Sequence, residues 1–402
     1  MTNAMIRRAS RLSCLLRRSF CSNSNKRNNH IGIDFGSTNT YVAVMEGNKP
    51  KLVVNHPSQT TITAKVIQDA ILETNTVVGL KRLIGRTFED PIVQKEMKML
   101  PCKIVRGSDG NTWVETTYGD LLPTGGILAL FLNEMKIKAE TYLGKSVSSA
   151  VITFPMNFTD LQAKTLMVAA KVVGLNLQRA IDEPTAAAIA YGLVDKECIF
   201  AVVDVGGRTT DVSILEVSNR RFQFKGPTKS DIFLGGQDFD KVITDDYLMG
   251  ELNASDVNKN IIKMQEDVFL FRSFCKVAEN AKIELSTTSE TAVKLPYPDR
   301  PKWIFDTILT RTKFESLVKD LNKRIKNQCE SCLKEAGLTF KDVDEVLLVG
   351  GMARVPRIKK TVAEVFGKMP TRGVNPEEAV ALGAAAAVQA GYFGEDAWDI
   401  PQ

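Results

Sequence analysis

Two stretches of the chain share one uncommon pattern, and together they constrain the fold more than any other feature of the sequence. In each stretch an apolar strand ends in an aspartate, a turn of glycine and hydroxyl residues follows, and a second apolar strand begins. The first stretch covers residues 30–45 with Asp34 before its turn, and the second covers residues 198–217 with Asp204, 170 positions later. The pattern predicts two β-hairpins with backbone N–H groups exposed at their turns.

The turns of these hairpins have the chemistry of a phosphate site. Exposed N–H groups can surround phosphate oxygens, and an aspartate at a strand end can hold a hydrated Mg²⁺, which prefers carboxylates and retains its waters. A single such turn more often only joins two strands, whereas two similar hairpins this far apart favour two lobes with phosphates between them. A third apolar strand ends at Gly350 and Gly351, where the backbone could approach a ligand closely.

The positive charge of the chain is concentrated in its first thirty residues. These contain seven Lys or Arg and no Asp or Glu, and subtracting those seven charges from the total of +5 leaves −2 for the rest. The rest of the chain therefore has no basic stripe, and we predict no nucleic-acid partner. No apolar run approaches the roughly 20 residues that a bilayer span needs, so we predict no transmembrane segment.

Residues 1–29 have the composition of an organellar transit peptide. They are rich in Arg and Ser, and their arginines and leucines can occupy opposite sides of a helix. They lack the continuous apolar core of a secretory signal. An unstructured basic tail is the alternative interpretation. We exclude this segment from the predicted fold.

Two other motifs match known sites only superficially. Residues 144–146 read Gly-Lys-Ser, like the end of a Walker A loop, but Ala139 stands where the first glycine is required and residues 130–142 have helical periodicity. Cys329 and Cys332 form a lone C-x-x-C inside a helical pattern, without a second pair or a histidine cluster. We predict neither a P-loop nor a zinc or redox site, and we expect the two cysteines to lie on one apolar helical face.

Further runs of sequence allow a family to be suggested. The most specific is Ile-Asp-Glu-Pro-Thr-Ala-Ala-Ala-Ile-Ala-Tyr-Gly at 181–192, where Pro184 starts a helix at its tolerated first turn and Glu183 comes just before it. The other runs, in order, are Lys81–Arg86, Leu234–Asp240, Ala278–Ser286, Leu348–Arg354 and Asn375–Gly383. With the two hairpins, they resemble the ATP-binding part of the 70-kilodalton heat-shock chaperones over about residues 30–393. The mitochondrial and bacterial branch is favoured by Lys95–Met99, Trp113–Glu115, Ile283–Glu284 and Phe366–Lys368.

The resemblance implies an α/β fold, two-lobed, actin-like and sugar-kinase-like, with a central nucleotide cleft. It divides the chain into a transit peptide at 1–29, a first lobe at 30–195, a second lobe at 196–393 and a tail at 394–402. Each lobe has an insertion subdomain, shortened in the first lobe (about 61–122) and at about 236–311 in the second. Periodicity predicts a long helix over 256–286, and residues 296–310 are expected to form strands or loops.

The resemblance also implies a site for ATP or ADP with Mg²⁺. The residues that would contact the phosphates are Gly36, Ser37, Thr38, Gly206, Gly207, Thr209, Gly235 and Gly236. Asp34 and Asp204 would hold Mg²⁺ through water, with Asp211 in support, and Glu183 would position the attacking water or relay protons. The catalytic set is thus Asp34, Glu183, Asp204 and Thr209. The residues that would bind adenosine are Glu279, Lys282, Ser286, Gly351 and Arg354, the last by stacking on adenine.

Two departures from the family pattern concern hydrolysis. The path from Thr61 to Asn75 is only 14 residues, and the segment that carries the catalytic lysine of the family is missing from it. Losing a cation aimed at developing phosphoryl charge typically lowers a rate about 100- to 1,000-fold. Arg208 stands where the family has a third glycine in the second turn. It would disturb a position that needs a glycine backbone or a close ligand approach, or its guanidinium would contact the phosphates and partly replace the lysine.

Two further departures concern communication and clients. The family pairs a proline with an arginine eight residues later in a relay between lobe and client domain; Pro155 is present, but Ala163 stands at the arginine position. The chain ends at residues 396–402 without the linker, β-sandwich and helical lid that grip clients in the family. We therefore expect no binding of unfolded clients by this chain, and co-chaperones and nucleotide-exchange factors are the expected partners.

Three functions follow from these observations. The first is a mitochondrial matrix ATPase of the chaperone type, which hydrolyses ATP to ADP and phosphate and assists protein folding, import and the stress response. The second is a pseudo-chaperone that binds nucleotide and co-chaperones but is impaired in hydrolysis, and the third is a non-functional gene remnant. A sugar or acetate kinase on the same scaffold is a weaker rival, because it would need a second-substrate pocket that the Glu183-Pro184-Thr185 run does not suggest.

Overall fold

The computed structural model of the chain describes residues 30–57, 59–61, 76–97, 100, 102–116, 119–254, 268–297 and 300–389. The predicted transit peptide, the tail and most of the shortened segment between Thr61 and Asn75 lie outside these described residues. Within them, no helix combines the length and the apolar composition that crossing a membrane requires.

Strands and helices alternate along the described part of the chain. The strands are β1 (His30–Phe35), β2 (Asn39–Glu46), β3 (Lys49–Pro57), β4 (Gln59–Thr61), β5 (Thr76–Val78), β6 (Lys103–Arg106), β7 (Thr112–Glu115), β8 (Leu121–Pro123), β9 (Ser149–Phe154), β10 (Asn176–Asp182), β11 (Cys198–Val205), β12 (Thr210–Ser218), β13 (Arg221–Phe224), β14 (Lys229–Asp231), β15 (Glu290–Tyr297), β16 (Arg300–Thr310) and β17 (Glu345–Val349). The helices are α1 (Leu80–Leu83), α2 (Pro91–Glu96), α3 (Thr124–Leu143), α4 (Asp160–Val172), α5 (Glu183–Ala190), α6 (Gly236–Val242), α7 (Met249–Ala254), α8 (Val268–Glu284), α9 (Arg311–Leu317), α10 (Lys319–Glu335), α11 (Pro356–Phe366) and α12 (Ala379–Gln389). A π-helical segment, Ile243–Leu248, joins α6 to α7, and a 3₁₀ turn, Gly351–Arg354, precedes α11.

The described residues divide into two compact units, and the first contains His30, Ile31 and the described residues within 60–150 and 159–178. It contains the antiparallel sheet β6-β7-β8 and the pair α3 and α4. Helix α4 begins with a capping box, in which the Thr159 hydroxyl accepts from Gln162 N and the Gln162 side chain accepts from Thr159 N.

The second unit contains the described residues within 32–59, 151–158 and 179–389 and most of two five-stranded sheets. The first sheet has the strand order β10-β9-β1-β2-β3, and α12 packs against β2 and β3 on one side and against α5 on another. This packing is close because Gly383 of α12 faces the backbone of Ala186 in α5. Helix α5 starts as predicted, with Pro184 in its first turn and with the Asp182 carboxylate capping Thr185 N over 2.7 Å.

The second sheet has the order β13-β12-β11-β17, with β14 beside β12. Strands β11 and β12 form the predicted second hairpin, in which Val205 pairs with Thr210 across a turn of residues 206–209. The first hairpin is confirmed as well, because β1 and β2 are neighbours joined by the turn at 36–38. Both strands that end in the turn aspartates are largely buried, so their side chains at the turn are held by a packed core.

The two motifs set aside in the sequence are structural. Gly144 has φ 61° and ends the 20-residue helix α3, so the Gly-Lys-Ser run is a helix terminus. Cys329 and Cys332 lie on α10 with both thiols free and both residues buried. Burial raises the pKa of both thiols, that of Cys332 to about 11, which keeps them protonated and inert at neutral pH.

The elements predicted for residues 256–310 match the structure where it is described. Helix α8, Val268–Glu284, ends two residues before the predicted helix does, and residues 255–267 lie outside the described residues. Residues 296–297 end β15 and residues 300–310 form β16, and the two strands pair as an antiparallel hairpin.

Candidate functional site

The turns of the two hairpins contact each other inside the second unit. A Cβ atom placed on Gly207 would lie 2.2 Å from Thr38 Oγ1, so only glycine allows this approach. Thr38 Oγ1 is buried and has no hydrogen-bond partner among the described residues. A buried hydroxyl without a partner is unfavourable, and a phosphate oxygen would supply the missing bond.

A third segment, residues 234–237 at the start of α6, packs on the second turn. Gly236 N donates to Gly206 O over 3.0 Å, and Gln237 N donates to Gly207 O over 2.8 Å. A Cβ on Gly235 would lie 2.4 Å from Arg208 N, so a side chain at this position would separate the two segments. Gly206 N, which the resemblance directs at a phosphate, donates to Thr209 O over 2.9 Å and closes the turn.

Arg208 fits into the second turn without the backbone strain that its glycine-like position suggested. Among the described residues, only Asn219 and Arg220 combine a side chain with a positive φ, so Arg208 does not need a glycine backbone. That reason for a disturbance is wrong. Arg208 is 7% exposed, and its backbone lies beside Gly235. The other predicted reason for a glycine at this position, close approach of a ligand, stays a prediction.

The acidic site residues come together at strand and helix ends of the second unit. Glu183, Asp204 and Asp211 line one small cavity of about 10 Å³, room for about one water molecule. Ser230 Oγ donates to Asp211 Oδ1 and fixes that carboxylate. Asp34, at the end of β1, accepts a longer hydrogen bond of 3.4 Å from the Thr153 hydroxyl.

The donor set suits a magnesium ion held through water. No group of three or more His, Cys, Asp or Glu in the described part of the chain could ligate a metal directly. Asp34 and Asp204 supply two carboxylates beside the turns, each only partly buried. Mg²⁺ commonly binds one or two carboxylates, substrate phosphates and several waters, so these residues fit such an ion.

The predicted adenosine residues on α8 and just after its end all have protein partners. Lys282 Nζ lies 2.8 Å from Oδ1 and 2.9 Å from Oδ2 of Asp240, and it also donates to Gly236 O over 3.0 Å. Burial raises the pKa of Asp240 to about 6, even though the Lys282 charge opposes the shift. Ser286 Oγ donates to Lys282 O, and Glu279 pairs with Lys276 at the surface.

The last site segment is the 3₁₀ turn after β17. Gly350 has φ 84°, and a Cβ there would lie 2.5 Å from Asp204 Oδ1, which brings this segment to the second turn. Beyond it, Gly351 and Arg354 are exposed. Met352 and Lys282 both lie close to Gly236, so α8 and the 3₁₀ turn meet at that glycine.

The sequence-based site left out several residues that contact it. Thr153 holds Asp34, Asp240 pairs with Lys282, and Glu377 pairs with Arg354. Asp240 and Glu377 lie within runs that supported the family resemblance, but those runs carried no assigned role for them. Thr153 could have been suspected because it is a hydroxyl near the end of the fully buried strand β9.

Comparison with known proteins gives a consistent result. A family model described as "Hsp70 protein" matches residues 30–397. The chain is 48% identical over 377 residues to a protein of Solanum tuberosum named "Heat shock 70 kDa protein, mitochondrial". The matched region covers 89% of the chain and 54% of that relative. A protein of the same name from Pisum sativum is 46% identical over 377 residues, covering 89% of the chain and 55% of that relative.

These relatives confirm the predicted resemblance and, with it, the α/β, actin-like fold class. The chain spans about half the length of the curated relatives it matches. The matched half contains the phosphate-type turns and the segments that converge on them. The chain therefore belongs to the Hsp70 family and corresponds to its nucleotide-binding domain.

Proposed function

We propose that the chain binds ATP and ADP with Mg²⁺ at this site and works as the ATPase domain of a mitochondrial matrix chaperone. The observation that carries the proposal is the contact between Thr38 and Gly207. These residues lie in two turns whose aspartates, Asp34 and Asp204, are 170 positions apart in the sequence. Among the described residues, the Thr38 hydroxyl is buried without a partner at this contact. An arrangement of glycine turns and hydroxyls around such a point is suited to phosphate oxygens.

The site residues have different roles in phosphoryl transfer, according to their positions. Ser37, Thr38 and Thr209 hydrogen-bond the phosphates and hold the terminal phosphate for in-line attack. Mg²⁺, when bound, offsets phosphate charge and is held through water by Asp34 and Asp204.

Glu183 lies in the cavity with Asp204 and Asp211, which has room for about one water molecule. It orients that water or accepts its proton. Two residues without a charge, Pro155 and Thr228, also line this cavity.

The adenosine end of the nucleotide is bound by α8 and the 3₁₀ turn. Glu279 and Lys282 lie on the last turns of α8, Ser286 follows the end of the helix, and Arg354 extends from the 3₁₀ turn with a half-exposed side chain. The Lys282 ammonium group already bonds Asp240 and Gly236 O, so adenosine would share it with these acceptors or displace one of them.

The setting of the protein is part of the same proposal. Relatives named as mitochondrial and the acid-free basic segment at 1–29 both support a mitochondrial matrix location. Co-chaperones and nucleotide-exchange factors are the partners that we propose for this domain. Assistance to protein folding and import would follow from their joint action.

Calorimetric titration of the full chain with ADP and Mg²⁺ tests nucleotide binding. We expect saturable heat and a rise in the thermal unfolding midpoint, because a ligand that binds only the folded state stabilises it. No heat together with no thermal shift would contradict the proposed site.

Single-turnover hydrolysis of ATP then tests the enzyme against the hydrolysis-impaired alternative. A rate of hydrolysis near that of a complete family member supports the ATPase, and a rate lower by about 100-fold or a larger factor supports impaired hydrolysis. Arg208→Gly is the informative variant: a faster rate would show that the arginine obstructs the phosphates, whereas a slower rate would show that it assists them.

A further inference from the structure

A chain of three side chains connects the first hairpin to Arg354 within the second unit. The Tyr41 hydroxyl, on β2 three residues after Thr38, donates to Glu377 Oε2 over 3.0 Å. The other carboxylate oxygen of Glu377 accepts from Arg354 Nε. Arg354 Nη2 also donates to Asn375 Oδ1 over 2.9 Å, so two acceptors hold the guanidinium.

Tyr41 is the rigid end of this chain. Its ring is 7% exposed and packs with Ala43, Ala381 and Ala385, between β2 and α12. Burial and the charge of Glu377 raise the pKa of Tyr41, so the hydroxyl remains a protonated donor at any physiological pH. The hydroxyl therefore fixes one oxygen of Glu377 and leaves the other directed at Arg354.

Arg354 is the exposed end. Its side chain is 52% exposed, and an exposed arginine has many rotamers available when nothing holds it. A side chain that is already held in its bound orientation loses less conformational freedom when a ligand arrives. The strength of any contact between Arg354 and a nucleotide base thus depends on how well Glu377 is itself held.

We propose that Tyr41 is a positioning residue for nucleotide binding, which orients Arg354 through Glu377 and thereby strengthens its contact with the adenine base. The inference rests on the proposed function, because it assumes an adenine base beside Arg354. It adds a residue from the phosphate-side hairpin to the base-binding part of the site. The phosphate turn and the base contact then share one strand, β2.

The test is the affinity for ADP with Mg²⁺, measured by calorimetry on the full chain and on Tyr41→Phe. This variant removes the hydroxyl and keeps the packed ring, and we expect roughly 3- to 10-fold weaker binding, because more of the ordering of Arg354 then has to occur when the nucleotide binds. Tyr247→Phe is the matched control, because Tyr247 is also buried and its hydroxyl bonds Ile308 O over 2.8 Å. We expect the control to bind ADP like the wild type.

A double-mutant cycle separates positioning from general structural damage. In an Arg354→Ala background, Tyr41→Phe should change the affinity for ADP less than twofold, because the group that it positions is gone. Equal losses in both backgrounds, or no loss in either, would overturn the inference. If the wild-type chain does not bind ADP, both the proposed function and the inference fail. If the wild type binds ADP but the effects of Tyr41→Phe and Arg354→Ala on the affinity are additive, only the inference is refuted.

Discussion

The packing of α12 on α5 makes a strong prediction, because it depends on one glycine. A Cβ on Gly383 would lie 1.7 Å from Ala186 O and 2.5 Å from Ala186 C, both backbone atoms that cannot rotate away. An ordinary contact needs about 3.4 Å or more, so Gly383→Ala must move the two helices apart. Overpacking of this kind typically destabilises by about 1–3 kcal/mol, and occasionally by more. The intrinsic preference of a helix for alanine would offset about 1 kcal/mol of it.

The matched control is Gly250→Ala in α7. Gly250 is exposed, and a Cβ there would meet no atom within 4 Å, so the same change should stabilise by about 0.4–1 kcal/mol. Thermal unfolding followed by circular dichroism should show opposite shifts, a few degrees down for Gly383→Ala and up to about 2 °C up for Gly250→Ala. Equal shifts of the same sign would refute the close contact between α12 and α5. Because α5 begins at Glu183, the Gly383 variant should also slow any hydrolysis of ATP.

Two other predictions follow from the site. Gly207→Ala should abolish the thermal shift caused by Mg-ADP, because its Cβ would lie 2.2 Å from Thr38 Oγ1 and push the two turns apart; a normal shift would mean that the turns do not need to touch. Asp240→Asn should change the pH dependence of unfolding. The pKa of Asp240 is raised from 3.8 to about 6 in the folded state, so the folded protein holds the extra proton between these values. Its stabilising effect is complete below about pH 4 and is lost as the pH rises through 6, a change of at most about 3 kcal/mol. The free energy of unfolding of the wild type, followed by urea titration from pH 4 to 7, should fall relative to that of Asp240→Asn, and parallel curves would contradict the assignment.

The sequence predicted the local elements of the site well, because each had a strong local signal. The strand–aspartate–glycine pattern predicted both hairpins, and Pro184 predicted the start of α5. These features depend on interactions between near neighbours in the chain, such as turn geometry and helix capping. A local signal also argued against a P-loop at the Gly-Lys-Ser run, since helical periodicity continues up to Gly144.

The sequence could not predict which distant side chains would pair. Lys282 reads as a free cation on the face of a helix, yet it lies against Asp240, 42 positions earlier. Tyr41 reads as an apolar strand residue, yet its hydroxyl bonds Glu377. Periodicity gives the face of an element and not the residue that it meets, so such pairs depend on tertiary packing.

Arg208 shows how a departure from a family pattern has to be separated into physical causes. A glycine in a turn can be needed for its backbone angles, for space against the protein or for space against a ligand. The first cause is excluded, because Arg208 has no positive φ. Space is tight around the backbone of this turn, since a Cβ on Gly235 would lie 2.6 Å from the Cα of Arg208. The third cause is space against the ligand, and Arg208→Gly tests it through nucleotide affinity and turnover.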